Sequence, residues 1–474
     1  MPSVLVPNSS QIVSFRMLFN TGAAFDPPGK EGVAALTAAM LSKGGSRART
    51  FESIVKAMYP MATRFESQTD KQMTVFAGQT HIDNLDKYYE IISGMLLEPG
   101  WRQEDFSRVR EDAINLVKVS LRGDNDEELA KEELYRSIYR NTSYGHLNAG
   151  TINSLQNLTI DDLKDFYDSN YTRSNFVLGL AGGYAAEFAS RVENDFERGL
   201  PGSPAPVLEM PSPEPIAGLE MEIIEKDARG VAISLGYPIP ITRSHPDWPA
   251  LLVAQSYLGQ HRSSNSHLFH VMRQIRGLNY GDYAYIEYFP NGMFQFHPSP
   301  NFGRSSQIFQ IWIRPVEPNN ALFALRLALY ELRKLVERGL DRDHFETTRR
   351  FLGKFANVLI ATQDAQLGYA LDSNFYGIPE FTTYLRNQLA TLMLDDVNTA
   401  IARYLQADDI KIVVVTKNAA EFKKAALSGE PSPITYASAP ASEVLEEDKT
   451  VERYGLAFNT DKVSIVPVEA VFQE

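Results

Sequence analysis

LTIDDLKDFYDSNYTRSNFVLGLAGGYAAEF, Leu158 to Phe188, and LMLDDVNTAIARYLQADDIKIVVVTKNAAEF, Leu392 to Phe422, are two versions of one unit. Each is an acidic-capped amphipathic helix, then an apolar strand, then the letters AAEF. A second pair precedes them, DFSRVREDAINLVKVSL from Asp105 and HFETTRRFLGKFANVLI from His344. Agreement over that length points to a duplicated domain. Between the copies lies GLPGSPAPVLEMPSPEPIAG, Gly199 to Gly218, rich in proline and without apolar periodicity, which reads as an extended linker. The expected organisation is therefore an N-terminal domain over residues 1–198, a linker over 199–218 and a C-terminal domain over 219–474.

Each half mixes the two periods of regular structure. Ile12 to Phe19, Thr74 to Gln79 and Asn175 to Ala181 read as strands. Phe106, Val109, Ala113 and Leu116 recur at helical spacing, as do Leu325, Leu329, Leu332 and Val336. Strand pairs separated by long helices predict an α+β fold: two homologous domains, each a mostly antiparallel sheet with helices packed on one face.

Bulk composition narrows the function classes. The 474 residues are 44% hydrophobic and 22% charged, an ordinary globular balance with room for large cores. A net charge of −13 argues against nucleic acid, whose phosphates call for a basic surface. No apolar run approaches the roughly 18 residues of a membrane span. There is no cysteine, which excludes disulfides and thiol nucleophiles. No phosphate-cradling glycine loop and no G-x-S-x-G elbow is present.

The stretch DPPGKEGVAALTAAM, Asp26 to Met40, resembles the signature helix of the inverzincins, the pitrilysin/insulinase-like metallopeptidases, which place H-x-x-E-H after a G-[LV]-A start. Gly32-Val33-Ala34 matches that start, but Ala35, Ala38 and Ala39 stand where the family has its two histidines and catalytic glutamate. The resemblance extends over nearly the whole chain through GAAFDPPGKEGVA, SYGHLNAGTINSLQNLT, LRLALYELRKLVERGLD and VSIVPVEAVF. It implies a duplicated α+β fold shaped as half of a clam. The family's third ligand, a glutamate, would fall on Asn115 or Leu116, and the neighbouring Glu111 and Asp112 sit about one turn earlier. Catalytic zinc needs three protein ligands and an open position for water. Alanine offers none of these, so this helix is expected to be structural and the chain to hold no metal.

HLFHVMRQIRGLNYGDYAYIEYF, His267 to Phe289, resembles the family's other signature, an Arg and a Tyr in an R-x-x-x-G-L-x-Y frame, here Arg273 and Tyr280. Leu268, Val271, Met272 and Ile275 form a helical stripe, Gly277 ends the helix, and Tyr280, Tyr283, Tyr285 and Tyr288 are expected on the strand that follows. The resemblance implies that Tyr280 donates to the oxyanion of peptide hydrolysis, a donor commonly worth about 3–4 kcal/mol. It also implies that Arg273 holds a substrate carbonyl through its planar fork.

Some family members divide these signatures between two associated subunits. The expectation is thus the non-zinc subunit of a heteromeric peptidase, inactive alone, pairing as a heterodimer with a zinc-bearing homologue to cleave unfolded peptides. The non-zinc subunit of mitochondrial processing peptidase has a glycine-rich loop before this helix; here that stretch, Gly259 to Ser266, is polar, which favours a bacterial pair and, by family habit, the periplasm. The alternatives are a non-catalytic core subunit, like those of the respiratory cytochrome bc1 complex, or a stand-alone peptide-binding module. His261, His267 and His270 are near enough in sequence to suggest a metal cluster, but no carboxylate stands beside them to orient a ligand histidine. The tyrosine-rich strand could line a peptide cleft or lie within a sheet.

Overall fold

The computed structural model describes residues 2–438 and 440–474. Five strands build the first sheet: β1 (Ser3–Pro7), β2 (Ile12–Phe19), β3 (Arg64–Thr69), β4 (Thr74–His81) and β5 (Phe176–Gly182). Six build the second: β6 (Leu219–Glu225), β7 (Val231–Ile239), β8 (Asp282–Tyr285), β9 (Gln307–Val316), β10 (Ile410–Thr416) and β11 (Phe458–Pro467). The orders are β1-β5-β2-β4-β3 and β11-β6-β10-β7-β9-β8. Without β11 the two orders are one topology: a parallel pair (β1/β5, β6/β10) continued by three antiparallel pairings. The expected α+β architecture of two similar, mostly antiparallel units is what the chain adopts. No helix or strand lies between Gly199 and Leu219.

Each sheet packs helices of its own half on one face. Phe15 and Phe19 of β2 join the core beneath the Val33–Lys43 helix. Ile233 and Leu235 of β7 join the core formed with the Trp248–Gly259 and Ala321–Arg338 helices. The opposite faces are closed by exchange. The Gln363–Tyr376 helix of the second half lies on β5, β2 and β1, where Leu371 packs against Leu18 and Val177. The Asp126–Ile138 helix of the first half lies on β10, β7 and β9, so that Leu129 and Leu134 share a core with Ala232, Val413 and Val415. Cover on both faces explains why FVLGLAG of β5 is buried throughout and IKIVVVT of β10 nearly so.

The exchanged helix DEELAKEELYRSI is hydrophilic by sequence, yet Glu127, Glu128, Lys131, Glu132 and Glu133 are buried. Each is paired: Glu127 with Arg314 at 3.1 Å, Glu128 with Lys131 at 3.3 Å, Glu132 with the Tyr288 hydroxyl at 2.8 Å and Glu133 with Arg136 at 2.5 Å. Desolvation pushes the Glu132 carboxyl up to about 7 and that of Glu133 up to about 8. Two further forks bind the halves, the buried one of Arg304 on Asp70 (2.8 and 2.5 Å) and that of Arg16 on the half-buried Asp364 (3.0 and 2.6 Å).

Two sequence expectations are corrected. Leu116 does not continue the stripe of Phe106 and Val109; it is 52% exposed. The α-helix ends at Asn115, and Leu116–Leu121 is π-helical, which rotates every later side chain away from the α-helical wheel. Tyr280 does not begin the tyrosine strand, since β8 starts at Asp282. Tyr283 and Tyr285 are buried in the sheet and Tyr288 in the turn after it, and of these Tyr285 and Tyr288 border a cavity within the second half.

Candidate functional site: an emptied helix and an exposed Arg–Tyr pair

The Val33–Lys43 helix keeps an elaborate start. Gly32 adopts φ +96°, and a Cβ there would stand 2.7 Å from both the Ala149 carbonyl oxygen and the Gly150 Cα. Only glycine fits that left-handed, crowded position. The Asp26 carboxylate accepts from the Gly32 and Ala34 amides at 2.6 and 2.8 Å, satisfying donors that a helix N-terminus leaves open. His146 Nε2 lies 3.1 Å from the same carboxylate, while burial lowers the pKa of that imidazole. DPPGKEG and SYGHLNAG, far apart in sequence, thus converge on one helix end.

One turn further along, the chemistry stops. Ala38 is fully buried, and Ala35 and Ala39 present methyl groups on a half-buried face. The neighbouring Gln103–Asn115 helix ends at the place the third ligand would occupy, with Asn115, Leu116, Glu111 and Asp112 all exposed. No group of three or more His, Cys, Asp or Glu side chains is placed to hold a metal ion among the described residues. The three clustered histidines part ways. His261 Nε2 donates to the Gln295 carbonyl at 2.8 Å, which leaves Nδ1 to accept from the Tyr285 hydroxyl at 2.8 Å. That is the neutral tautomer, in keeping with a burial that pushes the imidazole down to about 3. His267 bonds Glu331 at 2.7 Å, and His270 bonds Gln274 at 2.8 Å.

Arg273 and Tyr280 do come together. Arg273 rides the Phe269–Gln274 π-helix, and Gly277, at φ +64°, reverses the chain while its amide caps the Arg273 carbonyl at 2.9 Å. The Arg273 guanidinium lies 4.4 Å from the Tyr280 ring centre and 4.7 Å from that of Phe269, and Nη1 donates to the Tyr280 carbonyl at 3.0 Å. Tyr280 is 70% exposed. Its hydroxyl has no hydrogen-bond partner and Arg273 no carboxylate partner among the described residues. Arg314, held by Glu127, lies on the same ring at 5.8 Å. The free Tyr280 hydroxyl and the remaining N–H groups of Arg273 are donors of the kind that suits an oxygen bearing partial or full negative charge.

Two residues beyond the sequence expectation, Asn279 and Asp282, hold this turn. Asn279 Nδ2 donates to Asp282 at 2.7 Å and to the Arg314 carbonyl at 2.9 Å, and its Oδ1 accepts from the Gly281 amide at 3.1 Å. Asp282 is fully buried, and desolvation pushes its carboxyl up to about 8. The N-x-x-D spacing was the available signal, but it is common in ordinary turns.

Comparison with known proteins gives the family. Residues 3–151 match the family model described as insulinase (peptidase family M16), and residues 157–352 match the one described as peptidase M16 inactive domain. An uncharacterized zinc protease of Rickettsia bellii is 24% identical over 293 residues, 60% of this chain and 68% of its own. The non-peptidase homolog YmxG of Helicobacter pylori is 20% identical over 405 residues, 84% of this chain and 88% of its own. The chain covers 47% and 40% of the length of two other curated relatives. The crystal structure of a peptidase M16 inactive domain from Pseudomonas fluorescens superimposes with a TM-score of 0.76 at 21% identity, covering 87% of this chain and 94% of that one. At that identity the likeness speaks for the fold.

Proposed function

Since the chain belongs to the insulinase peptidase family (M16), we propose that it is the non-zinc subunit of a two-subunit peptidase, lending Arg273 and Tyr280 to a reaction centre on a homologous partner. The observation that carries this reading is the contrast within one molecule. The positions that bind metal in the family hold the methyl groups of Ala35, Ala38 and Ala39, while Tyr280 stands exposed with its hydroxyl free and the half-buried Arg273 has no carboxylate partner among the described residues.

A zinc site carrying H-x-x-E-H on the partner would supply the Lewis acid and the base for water attack on a peptide carbonyl. The contribution of this chain is positional and electrostatic. The Tyr280 hydroxyl donates to the carbonyl oxygen as it gains negative charge. The outer N–H groups of Arg273 hold a second carbonyl of an extended, unfolded peptide. The bond from Nη1 to the Tyr280 carbonyl keeps both groups in register, so neither has to be organised during the reaction. No helix among the described residues is long and apolar enough to cross a membrane. A periplasmic location belongs to the same proposal and is checked by fractionation.

Purification of the tagged chain from its native source tests the reading. Recovery of a homologue of similar length that carries H-x-x-E-H and one zinc per pair supports it. Recovery in a membrane-bound assembly without proteolysis points to a structural subunit, and an unpartnered chain that still binds peptides points to a binding module; either result refutes the proposal.

A further inference from the structure

Tyr280 is 70% exposed, and a ring so placed has several staggered side-chain rotamers open to it. Two guanidinium groups narrow that choice. Arg273 lies 4.4 Å from the ring centre and Arg314 lies 5.8 Å from it, both within the range over which an aromatic ring attracts a cation. Arg273 belongs to the same segment as the tyrosine. Arg314 comes from near the end of β9, and three separate devices aim it.

The first is a bulge. Ile313 pairs with Ile233 and Val316 with Val231, so Arg314 and Pro315 together stand opposite Ala232. An extra residue of this kind leaves the ladder locally and re-aims its side chain. The second is the main chain. The Arg314 amide donates to the Gly281 carbonyl at 3.4 Å, and its carbonyl accepts from Asn279 Nδ2 at 2.9 Å, so the residues on both sides of Tyr280 are tied to Arg314. The third is Glu127. Arg314 Nε lies 3.1 and 3.2 Å from its two carboxylate oxygens, and Nη2 donates to it at 3.1 Å, a fork that fixes the guanidinium plane in orientation as well as place.

Glu127 belongs to the first half, in the opening turn of the exchanged Asp126–Ile138 helix. Lys226 of the second half holds that helix start by donating to the Gly123 carbonyl at 2.7 Å and pairing with Asp126. The charge of Glu127 also has a use. Two cations beside one ring repel each other. The Glu127 carboxylate neutralises Arg314, while Arg273 has no carboxylate partner among the described residues and keeps its charge for an incoming oxygen.

We propose that Arg314, clamped by Glu127, is a positioning residue for Tyr280, so that a helix of the first half sets the phenol of the second in the pose from which it donates. This role rests on the reading of Tyr280 as the donor to the substrate carbonyl. Two measurements on two variants test it. Glu127→Met/Arg314→Met removes both charges together and leaves no buried ion unpaired, and Arg314→Lys keeps the charge but loses the planar fork. A ring-fluorinated tyrosine placed at position 280 of the full chain reports the surroundings of the ring by fluorine NMR, with no partner needed. Its resonance should move toward that of the free amino acid in both variants, and further in the double one, while the melting temperature stays near native. In the pair reconstituted with the H-x-x-E-H subunit, cleavage of a quenched fluorescent peptide should lose about tenfold in kcat in the double variant and about threefold in Arg314→Lys, with KM nearly unchanged, as expected when only transition-state donation suffers. A merely structural pair would lower the melting temperature and leave both the resonance and kcat alone. An unmoved resonance, or native kcat in the double variant beside a slowed Tyr280→Phe, would overturn the proposal. Normal turnover in Tyr280→Phe would instead remove the reading of Tyr280 as donor, and the fluorine signal would then decide the positioning by itself. Arg314→Lys carries both readouts if the double variant fails to fold.

Discussion

The Val33–Lys43 helix of the first half and the Phe269–Tyr280 segment of the second are the two places to which the proposed function assigns the family's chemistry, and they differ. The first keeps its scaffold to fine detail: a left-handed Gly32, an Asp26 cap and a helix seated on the sheet. Its working face is alanine. The second keeps its side chains and also the hydrogen bonds that orient them. A fold that loses its metal set retains the packing because packing contributes to stability whether or not zinc binds. An exposed Tyr and an Arg without a carboxylate partner contribute little to stability, which is in keeping with the use we propose for them.

That contrast can be tested on each side. In a reconstituted pair, Tyr280→Phe or Arg273→Ala should lower kcat/KM about a hundredfold, roughly 3 kcal/mol of transition-state stabilisation, while the melting temperature of the isolated chain stays unchanged. Steady-state assays beside thermal melts separate the two effects, and unimpaired turnover would mean that the pair of side chains is vestigial. In the first half the balance should invert. Gly32→Ala places a methyl group 2.7 Å from backbone at φ +96°. It should cost about 3 kcal/mol in denaturant unfolding.

Asp282, beneath the turn, should give a pH signature. Its folded carboxyl holds a proton up to about pH 8, whereas an unfolded Asp releases it near 4. Stability is therefore full below about pH 4 as far as this group is concerned, and declines as pH rises toward 8, because the unfolded chain alone loses the proton. Asp282→Asn should flatten that decline by up to about 4 kcal/mol, read as the difference between two unfolding series from pH 5 to 8.5. The smallest effect should come from Ala35→His/Ala39→His. Both positions are half-buried on one helix face, so stability should move by less than about 1 kcal/mol. Without a third ligand, metal analysis after dialysis should find no stoichiometric zinc.

Much of the fold could be read from the chain because its signals are local. The repeated helix–strand–AAEF unit and the strand-forming run Ile12 to Phe19 are properties of neighbouring residues, and the chain forms those elements there, although β2 is buried on both faces and does not alternate. The exchange of helices was not legible. DEELAKEELYRSI carries the composition of a solvated face, and only partners distant in sequence, Arg314 and Tyr288 among them, make its burial tolerable. The two π-helical segments defeated arithmetic on the helical wheel, at Leu116 and in the passage from Arg273 to Tyr280. That Arg273 and Tyr280 meet was implied by the family resemblance of the R-x-x-x-G-L-x-Y frame and not by the seven-residue spacing alone. Their stacking, and the support of Asn279 and Asp282, depended on the reversal at Gly277 and on Arg314 from β9. The cavity bordered by Tyr285 and Tyr288 was invisible because its walls come from helices and loops spread over more than a hundred residues.

The most direct experiment mixes the purified chain with the purified H-x-x-E-H homologue recovered beside it and follows cleavage of a quenched fluorescent peptide. Neither protein alone should cleave appreciably, and the mixture should be active in proportion to the limiting subunit. Full activity of the zinc homologue by itself, or cleavage by this chain without it, would contradict the division of labour described above.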